Sequence, residues 1–258
     1  MLEQFFLGAH YVGKGAGIIQ QAKLRRFVII PIIINLFVFF GLIWLSGYYF
    51  ASLLDTFLPA WLDWAIIQFI LWTFFALLAL VVFAYTFTLI TNFIAAPFNS
   101  LLAEKVERYL TGQTIETSDS FSQLLKSIPV TMASEIRKLI YLVMWMIPLI
   151  IISFIPVLNI LSPALWLIFS AWMLSLEYTD YPMGNHGYTF GRIKKRMEQS
   201  RPLALGFGGA LTILTSIPLI NIVAMPIGVA GATALWVDVI SKTEDTPTRQ
   251  SKALQNTE

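Results

Sequence analysis

The chain has 258 residues, of which 57% are hydrophobic and only 12% charged, about half the charged share of a soluble domain. With 20 Phe, 8 Trp and 9 Tyr it is rich in the aromatics that collect at membrane–water boundaries, and it reads as an integral membrane protein. The absence of cysteine excludes disulfides, thiolate metal sites and cysteine nucleophiles, and with a formal net charge of +2 no nucleic-acid partner is expected.

Residues 1–22 do not form a signal peptide, because Glu3 and scattered glycines interrupt any apolar core and no basic stretch precedes it. Phe5, Phe6, Leu7, Tyr11, Ile18 and Ile19 suit a short helix lying in the interface. Then comes Lys23-Leu24-Arg25-Arg26, and after it no charge until Asp55. The run Phe27–Leu54 would be about 42 Å long as a helix, enough for a tilted span of a hydrocarbon core of about 30 Å. The arginines sit where that helix starts. Forked donors, first-turn N–H groups and the positive end of the helix dipole make this a place for an oxyanion. The same charges also satisfy the positive-inside rule as a plain headgroup anchor.

Three more apolar segments follow: Trp64–Phe98, Leu139–Leu176 and Leu203–Val237. The second is tied to the first by Asp55–Asp63, a link with Pro59 and no Lys or Arg, and the pair reads as two long antiparallel helices. Asn35, Gln68 and Asn92 are their polar residues, placed to line a water path or to hydrogen-bond a neighbouring helix. Asn99–Lys138 leaves the membrane. Leu101, Leu102, Val106, Tyr109 and Leu110 recur at helical spacing between Glu104, Lys105, Glu107 and Arg108. Thr111–Ser120 is a polar loop, and Phe121–Lys138 a second amphipathic piece.

The last two segments share a motif. Ile155-Pro-Val-Leu-Asn159-Ile, followed by Pro163, recurs as Ile217-Pro-Leu-Ile-Asn221-Ile, followed by Pro226. Two prolines flanking an asparagine predict a turn and not a kink, so each segment is expected to be a helical hairpin. The arms Leu203–Ser216 and Ile227–Val237 would be roughly 21 and 16 Å long, short of a core of about 30 Å. Leu139–Phe154 and Ala164–Leu176 are only slightly longer. Both hairpins are therefore expected to be re-entrant, packed on protein or beside water. Every basic stretch, including Arg192–Arg201, then falls on one side of the membrane, with both termini cytoplasmic. Residues 1–240 form a single membrane domain in this reading. It has long helices at about 27–54 and 64–98, a cytoplasmic extension at 99–138 and hairpins at about 139–176 and 203–240. Residues 241–258 are a polar tail.

No Walker A sequence is present, so ATP hydrolysis through a P-loop is excluded. Gly206-Phe207-Gly208-Gly209 is not a nucleotide fingerprint; its small residues suit close helix packing. With His10 and His186 as the only histidines, no metal site is expected, no cofactor is implied, and no catalytic constellation assembles.

These residues resemble the CysZ-type sulfate permeases of bacterial inner membranes. The likeness runs through Leu24-Arg25-Arg26-Phe27 with Pro31 and Asn35, Asn92-Phe-Ile-Ala-Ala-Pro-Phe-Asn99 and Glu135-Ile-Arg-Lys-Leu139. It continues in Glu177-Tyr-Thr-Asp-Tyr-Pro-Met183 with Asn185-His186, Arg201-Pro-Leu-Ala-Leu-Gly-Phe-Gly-Gly209, and Ile217-Pro-Leu-Ile-Asn221 with Met225-Pro226. The resemblance implies sulfate uptake for cysteine biosynthesis by an all-α homo-oligomer of two long tilted helices and two partly inserted hairpins. Its anion site maps onto Lys23, Leu24, Arg25 and Arg26, with Lys23 where the family has glycine. Sulfite or a similar oxyanion is the related cargo, and the bilayer is the other partner. An ion path is expected to pass Asn35, Asn92 and Asn99, with Glu104, Glu107 and Arg108 at its cytoplasmic mouth; the alternative for Glu104 and Arg108 is an ordinary i,i+4 pair. The rival to transport is a membrane scaffold that docks another transporter or enzyme on Asn99–Lys138.

Overall fold

Eight helices carry the described residues of the computed structural model, which are 1–57, 69–70, 73–74, 76–78, 80–81, 98–112 and 121–242. They are α1 (Leu2–Ile19), α2 (Ala22–Phe57), α3 (98–110), α4 (Phe121–Phe154), α5 (Ser162–Asn185), α6 (Phe190–Gln199), α7 (Arg201–Thr215) and α8 (Pro218–Leu235). A 3₁₀ turn, Leu158–Leu161, precedes α5, and a π-helical turn, Trp236–Ile240, closes α8. Described residues between 69 and 81 are also helical. Most of the Asp55–Asp63 link, Gln68, Asn92, most of the Thr111–Ser120 loop and nearly all of the tail lie outside the described residues.

The chain divides into two units, Ile29–Ala96 and the remainder, Met1–Val28 with Pro97–Glu258. In the smaller unit α2 shows Phe37, Trp44 and Tyr48 on its surface, and Phe69, Phe74 and Leu80 are exposed as well. That is an outer surface suited to lipid.

The larger unit is built on close helix approach. α1 packs on α7 and α8, and α5 packs on the same pair from its own side. In α1 the buried residues are Gly8, Tyr11, Val12, Gly15 and Ile18, a stripe at i, i+3/i+4 and i+7 spacing that only a partner helix explains. The interfacial helix expected at the N-terminus is thus half of a helix–helix seam, while Leu2 and Phe6 remain exposed on its outer side. Small residues make the seam. A Cβ on Gly208 would overlap the Ala171 carbonyl of α5, and one on Gly206 the Phe5 carbonyl of α1. The glycine-rich run of α7 is therefore the packing device its composition suggested.

α4 and α5 form an antiparallel pair. Pro156 cannot continue α4, and Val157 takes φ 73°, a costly value for a β-branched residue that turns the chain back. Near this turn the Trp166 indole donates to Ser153 Oγ at 3.2 Å; further along, the Trp172 indole donates to the Tyr141 hydroxyl at 3.2 Å. The second break differs from expectation. Only Ser216 and Ile217 separate α7 from α8, α8 begins at Pro218, and Pro226 lies inside it. A proline at the first helical position loses no hydrogen bond, so Pro218 starts a helix here. Tight packing of the small-residue face carries α8 through Pro226, at a site where an exposed helix would kink.

Three helical stretches among the described residues are long and apolar enough to cross a membrane: Ile136–Phe154, Leu158–Asn185 and Val223–Ile240. Both arms of the first break and the second arm of the other therefore run on beyond the short segments read from the sequence, while α7 stays close to its expected bounds. The first two stretches expose most of their surface, whereas Val223–Ile240 is mostly enclosed by neighbouring helices.

Gly208→Ala is expected to lower the stability of the detergent-solubilised protein by about 1–3 kcal/mol, the usual cost of overpacking. Gly13→Ala, whose Cβ would meet nothing within 4 Å, should be neutral or stabilising by up to about 1 kcal/mol from helix propensity. Denaturant unfolding of the two variants checks the pair; equal effects would mean that the α5–α7 contact is not close in solution.

Candidate oxyanion site and polar cleft

α1 and α2 meet at a two-residue joint, Gln20 and Gln21, and the joint sets the first candidate site. The Gln21 carbonyl accepts from the Leu24 N–H at 2.9 Å and the Arg25 N–H at 3.1 Å, which starts α2. The Gln20 carbonyl accepts from Arg25 Nε at 2.8 Å, and its side chain donates back to the Ala16 carbonyl at 3.2 Å. Leu24 is wholly buried, while Lys23, Arg25 and Arg26 are exposed. The apolar residue pins the first turn, and the three cations stand around it in water. The Arg26 guanidinium lies 4.9 Å from the centre of the Phe27 ring, which steadies its stem. By position in the first turn, the Ala22 and Lys23 N–H groups have no intrahelical acceptor.

The second polar region joins α3 to the end of α5. Glu104 and Arg108 pair at 2.5 Å one turn apart on α3. Glu107 holds His186 Nε2 at 2.8 and 3.0 Å. Asn185 Nδ2 donates to the Ser100 carbonyl at 2.8 Å, and the Ser100 hydroxyl donates to Asn185 Oδ1. Glu104, Glu107, Arg108, Thr111, Asn185 and His186 line a cleft of about 390 Å³.

Deeper in the unit, Asn99 Nδ2 donates to the Tyr181 hydroxyl at 3.4 Å, and that hydroxyl donates to Glu177 Oε1 at 3.3 Å. Glu177 and Asp180 both face Lys138 of α4, at 3.1 and 3.0 Å. The Lys138 side chain is only 4% exposed. A third contact ties the chain ends together: Lys14 of α1 pairs with Asp238 of the π turn. Burial, then the charge of Asp238 and a hydrogen bond to it, push the Tyr11 hydroxyl up to about 12, so Tyr11 is a protonated donor at neutral pH.

Of the residues expected along an ion path, Asn99, Glu104, Glu107 and Arg108 come together on α3. Asn35 lies within α2 with its side chain outside the description, and Asn92 lies outside the described residues. Glu104 and Arg108 form the i,i+4 pair offered as the alternative reading of that spacing. Residues missed by sequence reasoning are His186, weighed only as a metal ligand, and the Lys138, Glu177 and Asp180 cluster. The Glu-x-x-Asp spacing of 177 and 180 was the available signal, since it puts both carboxylates on one helix face. Among the described residues no group of three or more His, Asp or Glu could hold a metal ion.

An all-helical membrane protein with cations arrayed at a helix start is the class these features define. Residues 11–226 match the family described as "Sulfate transporter CysZ/Etoposide-induced protein 2.4". Proteins named "Sulfate transporter CysZ" are similar across nearly their whole lengths. One from Pseudomonas fluorescens is 41% identical, with 89% of this chain and 92% of that protein covered. One from Pseudomonas aeruginosa is 40% identical, covering 89% and 94%, and one from Vibrio cholerae 38% identical, covering 94% and 97%. This chain belongs to that family.

Lys138→Met would leave the carboxylates of Glu177 and Asp180 without the cation they share. A buried pair broken from one side costs about 3–5 kcal/mol, and a loss of that size is expected in denaturant unfolding in detergent. The exposed Lys195→Met change serves as reference; equal small losses would show that water reaches the cluster.

Proposed function

We propose that this chain carries sulfate across a bacterial inner membrane into the cytoplasm, feeding cysteine biosynthesis, and that it does so without hydrolysing ATP. The observation that carries the proposal is kinship over nearly full length, at about 40% identity, to proteins named for sulfate transport. Lys23, Arg25 and Arg26 supply the matching chemistry. Each guanidinium offers charge-assisted, forked hydrogen bonds to a divalent oxyanion, and the helix dipole adds to the attraction. Sulfite and similar oxyanions present the same acceptor geometry and are the related cargo.

In the proposed topology the two long helices span the bilayer and the α4–α5 and α7–α8 pairs enter it part-way. The buried Lys138–Glu177–Asp180 cluster supports partial entry. From it to the turn, α4 offers only Leu139–Phe154 as uninterrupted apolar helix, roughly 24 Å, against a core of about 30 Å. Basic residues at 23–26, 137–138 and 192–201 then share the cytoplasmic side, with both termini. A homo-oligomer would cover part of the exposed apolar surface of α4. Asn35, Asn92 and Asn99 would line the route, and the Glu104, Glu107 and Arg108 cleft would receive the anion, its carboxylates setting a barrier that the arginine offsets.

Purified protein in proteoliposomes is expected to carry labelled sulfate inward, measured with and without a pH gradient, and Arg25→Ala should slow uptake roughly tenfold or more at limiting sulfate, as loss of a charged hydrogen bond implies. No sulfate movement, or a conductance indifferent to sulfate, would leave the scaffold reading in its place.

A further inference from the structure

α6 meets the middle of α4, around Arg137–Trp145, away from the two candidate polar sites described above. α6 is amphipathic: Phe190, Ile193 and Met197 are buried and fix it to the unit, while Arg192 and Lys195 are exposed. Its Phe190 ring lies 5.6 Å from the Tyr141 ring of α4, and Lys194 Nζ sits 4.9 Å from the centre of that same ring. On α4, Arg137, Tyr141 and Trp145 follow at i, i+4 and i+8, so they share one face with Lys194. The Tyr141 and Trp145 rings are 6.4 Å apart, and the Trp172 indole holds the Tyr141 hydroxyl. Arg137 and Trp145 are exposed.

Beyond Trp145, Ile147, Ile150, Ile151 and Phe154 present bare apolar surface. Along α4 the surface thus changes from apolar, through Trp145 and Tyr141, to Arg137, with Lys194 of α6 over the Tyr141 ring. That gradient is the profile of the hydrocarbon–headgroup boundary. The carboxylate of Glu198 lies 3.7 Å from Lys194, a long, exposed i,i+4 pair that competes weakly with a phosphate.

We propose that Arg137 and Lys194, above Tyr141 and Trp145, bind the phosphate of an anionic phospholipid whose chains lie along α4. The cations supply charge-assisted bonds to the headgroup, and the apolar face below them accepts the acyl chains, which a free oxyanion lacks. Bound lipid then clamps α6 to α4, beside the Lys138 cluster.

The test is thermal unfolding of the full chain in detergent micelles doped with phosphatidylglycerol or phosphatidylcholine. Phosphatidylglycerol should raise the unfolding temperature more than phosphatidylcholine, and salt should erode the difference. Arg137→Gln with Lys194→Gln should lose more than half of that difference, while Lys194→Arg and the outward-facing Arg192→Gln keep it. Equal shifts with both lipids overturn the proposal using wild type alone, whatever the double variant's folding. A full difference retained by the double variant overturns it as well. So does an increment from inorganic phosphate that the double variant abolishes, which would make this a free-oxyanion site.

Discussion

Backbone-to-backbone approach at glycine is the constraint on which the larger unit depends. Lipid tails are as apolar as a leucine side chain, so helices within a bilayer gain little from the hydrophobic effect and rely on contact. Gly8 and Gly15 of α1, Gly206 and Gly208 of α7, and Gly231 of α8 each stand where a Cβ would strike neighbouring backbone. These contacts hold α1 against α7 and α8, and α7 against α5. Because α1 is held, the Gln20–Gln21 joint is held, and with it the buried Leu24 and the outward Arg25 and Arg26. The candidate site at Lys23, Arg25 and Arg26 thus rests on a seam built from small residues.

Charged contacts tie separate elements of this unit together. Lys138 joins α4 to α5, His186 joins α5 to α3 through Glu107, and Lys14 joins α1 to the π turn through Asp238. Of the three, the Lys138 contact is the buried one, and there an isolated ion would cost several kcal/mol or more; the other two are partly exposed ties between helices. Lys23, Arg25 and Arg26, exposed at the start of α2, carry the functional reading. They sit in water at a helix start, where an anion loses little hydration by approaching and gains three donors.

Much of this was legible from residues alone, because its causes are local. The break at Pro156, a helix start at the basic stretch and the packing role of the α7 glycines follow from backbone geometry that the sequence states directly. The α1 seam was also written there, as a stripe from Gly8 to Ile18, but the apolar residues around it favoured an interfacial reading. Pro226 was misleading for a physical reason: a proline inside a helix is tolerated when neighbours enclose it, and enclosure is a tertiary fact. For the candidate sites, the basic run and the α3 charges were visible. The partnerships of Glu107 with His186 and of Lys138 with Glu177 and Asp180 join residues some 40 to 80 positions apart, and no spacing rule reaches that far. The burial of Leu24 was hidden too, because one leucine beside a uniformly apolar run carries no mark of which side it faces.

The central claim is that the guanidinium forks of Arg25 and Arg26, and not their charge alone, bind sulfate. Calorimetry of sulfate binding to purified wild type, Arg25→Lys and Arg26→Lys tests it most directly, since lysine keeps the charge that orients the helix and gives up the fork. The account predicts weaker binding in both variants with membrane insertion unchanged, by a part of the roughly 1.5–3 kcal/mol that a hydrogen bond to a charged group is worth. Unchanged sulfate affinity in both would contradict it and reduce the arginines to headgroup anchors.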